Sequence, residues 1–280
     1  MESTINWGDL LMLTLDDEYR LEDFGFKAYM EHDHEATPEI RRNTIPIPGM
    51  PGSWNFGSEI GERHFNIPLK VTDHDRITLQ HKQNAFVAFL FDEFGKPRPI
   101  KMTFDYEPDK HYVVELSSSI SPNNAIHFFR TMGLPLVASD PYKYSNVHAD
   151  EVMWGSTDIT FETDYLLGHT NDFSEGPISI TGTRTVNITG SGLAVQPTII
   201  IEGTANNLTL SANGHSFTLP NFSNSKWIID FEKYVVYKNG QEQLLDGIDD
   251  FYLMPGSNTV KITGTNINFD MKIKFRDKYN

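Results

Sequence analysis

A chain of 280 residues, 39% hydrophobic and 12% aromatic, carries enough apolar material for packed cores and is too long for a usual single domain, which excludes wholesale disorder. Its formal charge of −15 opposes phosphate backbones, and the absence of cysteine excludes disulfides, thiolate zinc sites and a cysteine nucleophile. No run of residues has the apolar length needed to cross a bilayer, and Met1-Glu2-Ser3-Thr4 lacks the basic start and apolar stretch of a signal peptide, so synthesis in a cytoplasm is expected.

The acidity is shared: 14 basic against 23 acidic residues up to residue 150, and 9 against 15 after it. Neither half has a long Lys/Arg run, so nucleic acid is a poor partner and solubility accounts for most of the charge.

In chain order, Leu10 to Leu15 is a short apolar run closed by Asp16-Asp17. Ile45-Pro-Ile-Pro-Gly-Met-Pro-Gly52 reads as turns. Arg63 to Val71 alternates, with Phe65, Ile67, Leu69 and Val71 on one side, the signal of a half-buried strand. Pro68 inside it predicts an edge position or a bulge. The spacing then predicts a helix from Asp75 to Phe94, capped by Asp73 or Asp75 and ended by Gly95 and Pro97.

The second half of that helix is unusually apolar. Phe86, Phe89, Leu90 and Phe94 share a face, and Val87 and Phe91 carry the apolar surface well round the cylinder. Such a helix must be covered on more than one side. One cover is its own sheet; the other is either the second domain or a neighbouring subunit. Phe86, Val87 and Phe91 are therefore the candidate oligomer-interface residues.

Arg98 to Tyr106 and His111 to Ile120 follow as strands joined by a turn at Glu107-Pro-Asp-Lys110, and Ile126 to Ala138 is a further apolar stretch. A weakly patterned region to about Gly176 places a domain junction near residue 150, giving domains 1–150 and 151–280. The second domain is a succession of short alternating runs. Asn213-Gly214 and Asn239-Gly240 lie between such runs and predict two-residue hairpins. Pro255-Gly-Ser-Asn258 turns into Thr259 to Thr263, and Phe269 to Phe275 alternates cleanly. Many short strands without a helical pattern predict an antiparallel β-sandwich, and the chain as a whole reads as mainly β.

Candidate chemistry is sparse. Glu31-His32-Asp33-His34-Glu35 invites a metal reading, but an extended segment points His32 and His34 one way and Asp33 the other, and a third ligand must come from afar. It is read as a solvated acidic loop, and no metal is assigned. Asp246-Gly-Ile-Asp-Asp250 lacks the alternating spacing and closing Glu of a calcium loop. There is no P-loop, dinucleotide fingerprint, His-Glu-x-x-His or nucleophile elbow, Ser191 between Gly190 and Gly192 included. No catalytic residue and no cofactor is assigned, and the chain is expected not to be an enzyme. Of the tryptophans, Trp227 in the run Lys226 to Phe231 reads as core. Trp154, in the poorly patterned junction, is the better candidate for stacking on a sugar ring.

The order of elements resembles one family. Arg42 leading to Ile47-Pro-Gly49 with Gly52, the alternating strand after Arg63, the long helix, Leu134-Pro-Leu-Val-Ala-Ser-Asp-Pro-Tyr142, Trp227-Ile-Ile-Asp230 and Pro255-Gly-Ser-Asn258 resemble the distal tail (Dit) proteins of siphophages, over nearly the whole chain. Met50-Pro51 departs from the more polar residues common there. The resemblance implies an N-terminal tail-tube-like β-sandwich with one packed helix and a C-terminal galectin-like or carbohydrate-module-like sandwich. It further implies a homo-hexameric ring at the tail tip of a virion, made in the host bacterial cytoplasm. That ring would join the major tail tube protein to a tail-associated lysin or baseplate protein, with receptor-binding proteins at the periphery in phages that carry them. DNA would pass through its channel without sequence-specific contact. The alternative implied role is a carbohydrate-binding adsorption protein of the tail tip, with Trp154 as the sugar contact.

Overall fold

The computed structural model describes residues 10–29, 31–126, 129–148, 172–173, 176–245 and 251–280. They form two compact units, Met1–Lys143 with Asn280, and Tyr144–Tyr279. The described residues are mainly β, with antiparallel sheets and one α-helix.

In the first unit the strands are β1 (Leu10–Leu11), β2 (Leu13–Leu15), β3 (Tyr19–Arg20), β4 (Phe26–Tyr29), β5 (Asp33–His34), β6 (Ile40–Pro46), β7 (Ser53–Ile60), β8 (Arg63–Thr72), β9 (Ile100–Phe104), β10 (Lys110–Leu116), β11 (Asn123–Ile126) and β12 (Phe129–Ala138). They run in the order β1-β4-β8-β12-β10-β9-β2-β3, with β5 beside β8 and β11 beside β12. The predicted alternation holds: Phe65, Ile67, Leu69 and Val71 of β8 are all buried, as are Ile100, Met102 and Phe104 of β9. Pro68 is tolerated inside a central strand for a local reason. On one side it lies opposite Gly133 of β12; on the other, β4 pairs only from Leu69 onward and β5 only up to Asn66. The proline thus occupies a gap in the ladder, where no amide hydrogen is needed.

The helix α1 spans Arg76–Leu90, four residues shorter at its end than the sequence predicts. Asp75 caps its start, its side chain accepting from Thr78 N at 2.9 Å. Its end is fixed by competition for the backbone. Arg98 Nε donates to the Phe89 carbonyl at 2.6 Å, and Asp92 Oδ1 accepts from the amides of Phe94 (2.9 Å) and Lys96 (2.8 Å). Phe91 consequently leaves the helix extended and bridges Pro97. Leu79, Phe86 and Leu90 point into the core.

A short β13 (Lys143–Ser145) begins at the boundary residue, and the second unit contains β14 (Ile178–Ile180), β15 (Arg184–Gly190), β16 (Thr198–Ala212), β17 (His215–Leu219), β18 (Phe222–Asp230), β19 (Val235–Lys238), β20 (Gln241–Gln243), β21 (Gly256–Lys274) and β22 (Lys278–Tyr279). Both Asn-Gly pairs form the two-residue turns predicted, with positive φ at each residue (53° and 84°; 51° and 79°), joining β16 to β17 and β19 to β20. The long strands β16 and β21 pair along both halves, with register breaks between Thr204 and Thr209. Below the break they pair with β18 and β14; above it, with β17 and β15. The bend lets two strands serve both layers of a sandwich. Its core is continuous, with Phe217 and Phe231 rings 5.1 Å apart and Trp227 buried as expected.

Gly203 makes the bend. Its φ is 149°, and a Cβ there would sit 2.4 Å from the Asn268 carbonyl oxygen. Gly203→Ala is expected to destabilise this unit by about 2–3 kcal/mol, checked by the urea midpoint followed through Trp227 fluorescence. The Pro255–Asn258 segment owes its form to Asn258, which is buried. Its Nδ2 donates to the carbonyls of Met254 (2.7 Å) and Gly256 (3.1 Å), and its Oδ1 accepts from Met254 N and Asn213 Nδ2, both at 2.8 Å.

Candidate assembly surface

Among the described residues the strands β6 and β7 pair only with each other, and every residue of both is exposed. Their register sets Ile40 opposite Ile60, Arg41 opposite Glu59, Thr44 opposite Asn55 and Ile45 opposite Trp54. Between Arg42 and Thr44 the register shifts, with Phe56 and Gly57 together opposing Asn43. Side chains alternate along β6, so Ile40 and Ile45, five residues apart, point to opposite faces. The two apolar cross-strand pairs therefore lie on opposite sides of one ribbon. Trp54 is 57% exposed and Phe56 64%, with Ile47 and Met50 bare at the tip.

Local interactions on the ribbon are weak. Arg41 pairs with Glu39 at 2.9 Å and Asn43 Nδ2 donates to Glu59 at 3.1 Å, both exposed and worth at most about 1 kcal/mol. An isolated two-stranded hairpin is marginal in water. Apolar pairs on both faces of such a ribbon require cover on both faces. The sequence reading placed only turns here, at Ile45 to Gly52; the strands continue to Pro46 and resume at Ser53. The available signal was Trp54-x-Phe56-x-x-x-Ile60, an alternation interrupted by Gly57 and overshadowed by the Pro/Gly tip.

The ribbon's two ends are held to each other at its root. Glu39 N donates to the Glu62 carbonyl (3.1 Å) and Gly61 N to the Glu39 carbonyl (2.8 Å). Just before it, β5 lies on β8 through two register pairs, Asp33 with Asn66 and His34 with Phe65. His32 and His34 point the same way, as the alternation predicts, but into the unit rather than to solvent, and their rings stack at 5.6 Å with 13° between planes. Each ring also stacks on Phe104 at 5.5 Å, and the Tyr106 hydroxyl lies 3.4 Å from His32 Nε2 and from His34 Nδ1. Arg63, 1% exposed, donates from Nη1 to the Tyr112 hydroxyl at 2.5 Å. Burial holds the His34 imidazole below its ordinary value, helped by His32, Arg63 and Lys143, and burial pushes the phenols of Tyr106 and Tyr112 up. Among the described residues no three His, Asp or Glu side chains are grouped to hold a metal ion.

The sequence-derived interface residues separate. Phe86, 0% exposed, packs on Phe26 (4.8 Å) and Phe24 (5.5 Å) of its own unit. It offers no surface to another chain, because the η turn Leu21–Phe24 and β4 close over it. Phe91 is half-buried against the same core, since the helix ends before it. Val87 is exposed, with Ile77 on the outer side of the helix and Phe94 at the tip of the following loop. Trp154 and the Asp246–Asp250 segment lie outside the described residues.

Residues 19–129 match the model of the phage tail protein RIFT-related domain family. Over most of the chain the fold is similar to that of a solved phage protein. The Dit protein of phage SPP1, described as a paradigm of the hub adsorption apparatus in phages infecting Gram-positive bacteria, superposes with a TM-score of 0.68 at 16% identity, covering 96% of this chain and 99% of that one. Chains of the phage P2 baseplate in its activated conformation, with calcium or with strontium, match at TM-scores of 0.44 and 0.45 and 9% and 10% identity. They cover 94% and 97% of this chain and 97% and 99% of theirs. No curated protein sequence matches. Among the described residues no helix is long and apolar enough to cross a membrane.

Proposed function

We propose that this protein is a structural, non-enzymatic component of a siphophage virion, a hub ring at the distal end of the tail. The carrying observation is the β6–β7 ribbon, bare on both faces and apolar on both. A ring of identical subunits closes through heterologous contacts, in which one patch meets a different patch on the next copy. An arm between neighbouring subunits has both faces covered by such contacts; an arm in a monomer has neither. The end-to-end match to a Dit fold and the tail-domain match over residues 19–129 support the same reading.

In this reading unit 1 builds a homo-hexameric ring and unit 2 faces outward. The tail tube protein lies above, a tail-associated lysin or baseplate protein lies below, and any receptor-binding protein sits at the periphery. The chain is made in the host cytoplasm and resides in the virion. An excess of acid over base in both halves suits a channel that passes DNA without retaining it.

The test is the assembly state of the full-length chain, by sedimentation and negative-stain imaging. Wild type is expected to form closed rings at high concentration, and Ile45→Ser/Trp54→Ser to remain monomeric. Both positions are exposed, so the variant's melting temperature should change by no more than the equivalent of about 0.5 kcal/mol per site. Monomeric wild type at every concentration, or a variant that assembles equally well, would defeat the proposal.

A further inference from the structure

We infer that residues 31–35 are a proton-sensitive strap, which holds the root of the arm on unit 1 while the stacked imidazoles of His32 and His34 are neutral and lets it go when they are protonated. The inference rests on the reading of the ribbon as an assembly arm.

The strap is held by little besides the imidazole stack. Two residue pairs attach β5 to β8, and the outward residues Glu31, Asp33 and Glu35 are exposed. On the inner side, the Tyr106 hydroxyl faces one nitrogen of each ring. With both rings neutral, that hydroxyl can donate to one imidazole and accept from the other. With His34 protonated, its facing nitrogen becomes a donor as well, and the new cation lies against the His32 ring with centroids 5.6 Å apart.

Among the described residues the nearby carboxylates are engaged or turned away, Asp109 lying 3.7 Å from Lys110. From β8, Arg63 presents a buried guanidinium with the Tyr112 hydroxyl as its partner; its Nε and Nη2 have none. From the turn after β9, the Glu107 carboxylate already receives Lys110 at 3.1 Å and Lys143 at 2.9 Å. On the strap itself, Asp33 points away from the stack and Glu35 accepts from the His64 amide at 3.4 Å. The phenols of Tyr106 and Tyr112 stay protonated, because burial raises both. A new positive charge on His34 therefore meets Arg63, Lys143 and His32 before any free carboxylate.

The direction of the pH effect follows. The seated His34 titrates below the ordinary imidazole value of 6.5, so the seated strap binds fewer protons than the released one. Seating is complete above that ordinary value and is lost as pH falls through the lowered one. This differs from a general acid unfolding, because it is confined to β5 and the arm root.

Amide hydrogen exchange of the full chain, corrected for intrinsic rates, at pH 7.5 and pH 5.5 tests the strap. Protection at Asp33 and His34 is expected to fall, by up to about tenfold for the one imidazole, at the lower pH, while the β8–β12 ladder is unchanged. His32→Phe/His34→Phe keeps two stacked rings and removes the protons, and its protection should be the same at both pH values. Unchanged wild-type protection, or a fall that persists in the double variant, overturns the strap. If the double variant loses the β8–β12 ladder, NMR titration of the wild-type histidines decides instead, since an ordinary or raised His34 value also overturns it. Sedimentation at the two pH values separates the premises. A strap that releases without any change in assembly leaves the strap standing and removes the arm reading.

Discussion

Phe86→Ala is expected to destabilise the first unit by about 3–5 kcal/mol, the cost of emptying a fully buried phenylalanine site. The ring is 0% exposed and wedged between Phe24 and Phe26, so its removal leaves a cavity between helix and sheet that these neighbours fill only in part. For a unit of this size the melting temperature should fall on the order of 10 °C. Val87→Asp, one residue along but on the outside, should change it by no more than about 0.5 kcal/mol. Scanning calorimetry of the two variants checks the pair. Loss of assembly in the Phe86 variant then reports a lost fold, whereas loss in the Val87 variant reports a lost contact. A Phe86 variant as stable as wild type would mean that the helix does not pack where it is described.

The second large effect is a pH-dependent one at Asp277. Its side chain is 5% exposed, and Oδ1 accepts the Ser191 amide at 2.7 Å. Burial, only partly offset by the Ser191 bonds, pushes the carboxyl up to about 6 from 3.8. The folded state thus holds the proton more tightly than the unfolded one. Stability from this group is complete below pH 3.8 and is lost as pH rises through 6, with a total on the order of 3 kcal/mol. Asp277→Asn keeps the acceptor and removes the charge. Relative to wild type the variant should gain stability progressively between about pH 4 and pH 7, with any fixed cost of its new N–H donors equal at every pH. Urea midpoints at pH 4.5 and pH 8 measure the difference; a wild-type-to-variant gap that does not widen toward pH 8 rules the explanation out.

What the sequence made legible followed from local rules. The two Asn-Gly turns, the inward side of β8, the Asp75 cap and the burial of Trp227 each depend on a few neighbouring residues, and each was readable. The helix end was not, because Asp92 and Arg98 take the backbone groups that Phe91 to Phe94 need to continue it, and no periodicity shows that competition. The apolar surplus of Phe86 and Phe89 looked like a second contact face, yet it is absorbed by Phe24, Phe26 and Tyr19, which lie about 60 residues earlier in the chain. The ribbon was hidden for the opposite reason. Its strands are amphipathic on neither face, so they give no core-facing pattern, and the surface they present is visible only once the register is known. The spacing of His32 and His34 suggests metal chemistry; their aromatic neighbours come from β8, β9 and β10, which no local pattern links to this segment.

The ribbon also bears on the chain's tendency to aggregate. Both of its edges are unpaired backbone, the usual template for runaway strand addition. Three features spoil that template: the extra residue at Phe56–Gly57, which breaks the flatness of one edge; Pro46, which removes a donor near the tip of the other; and the opposed Arg41 and Glu59, which charge its root. Straightening β7 by deleting Gly57, or replacing Pro46 with valine, should promote fibrillar aggregation through strand addition at the ribbon's edges.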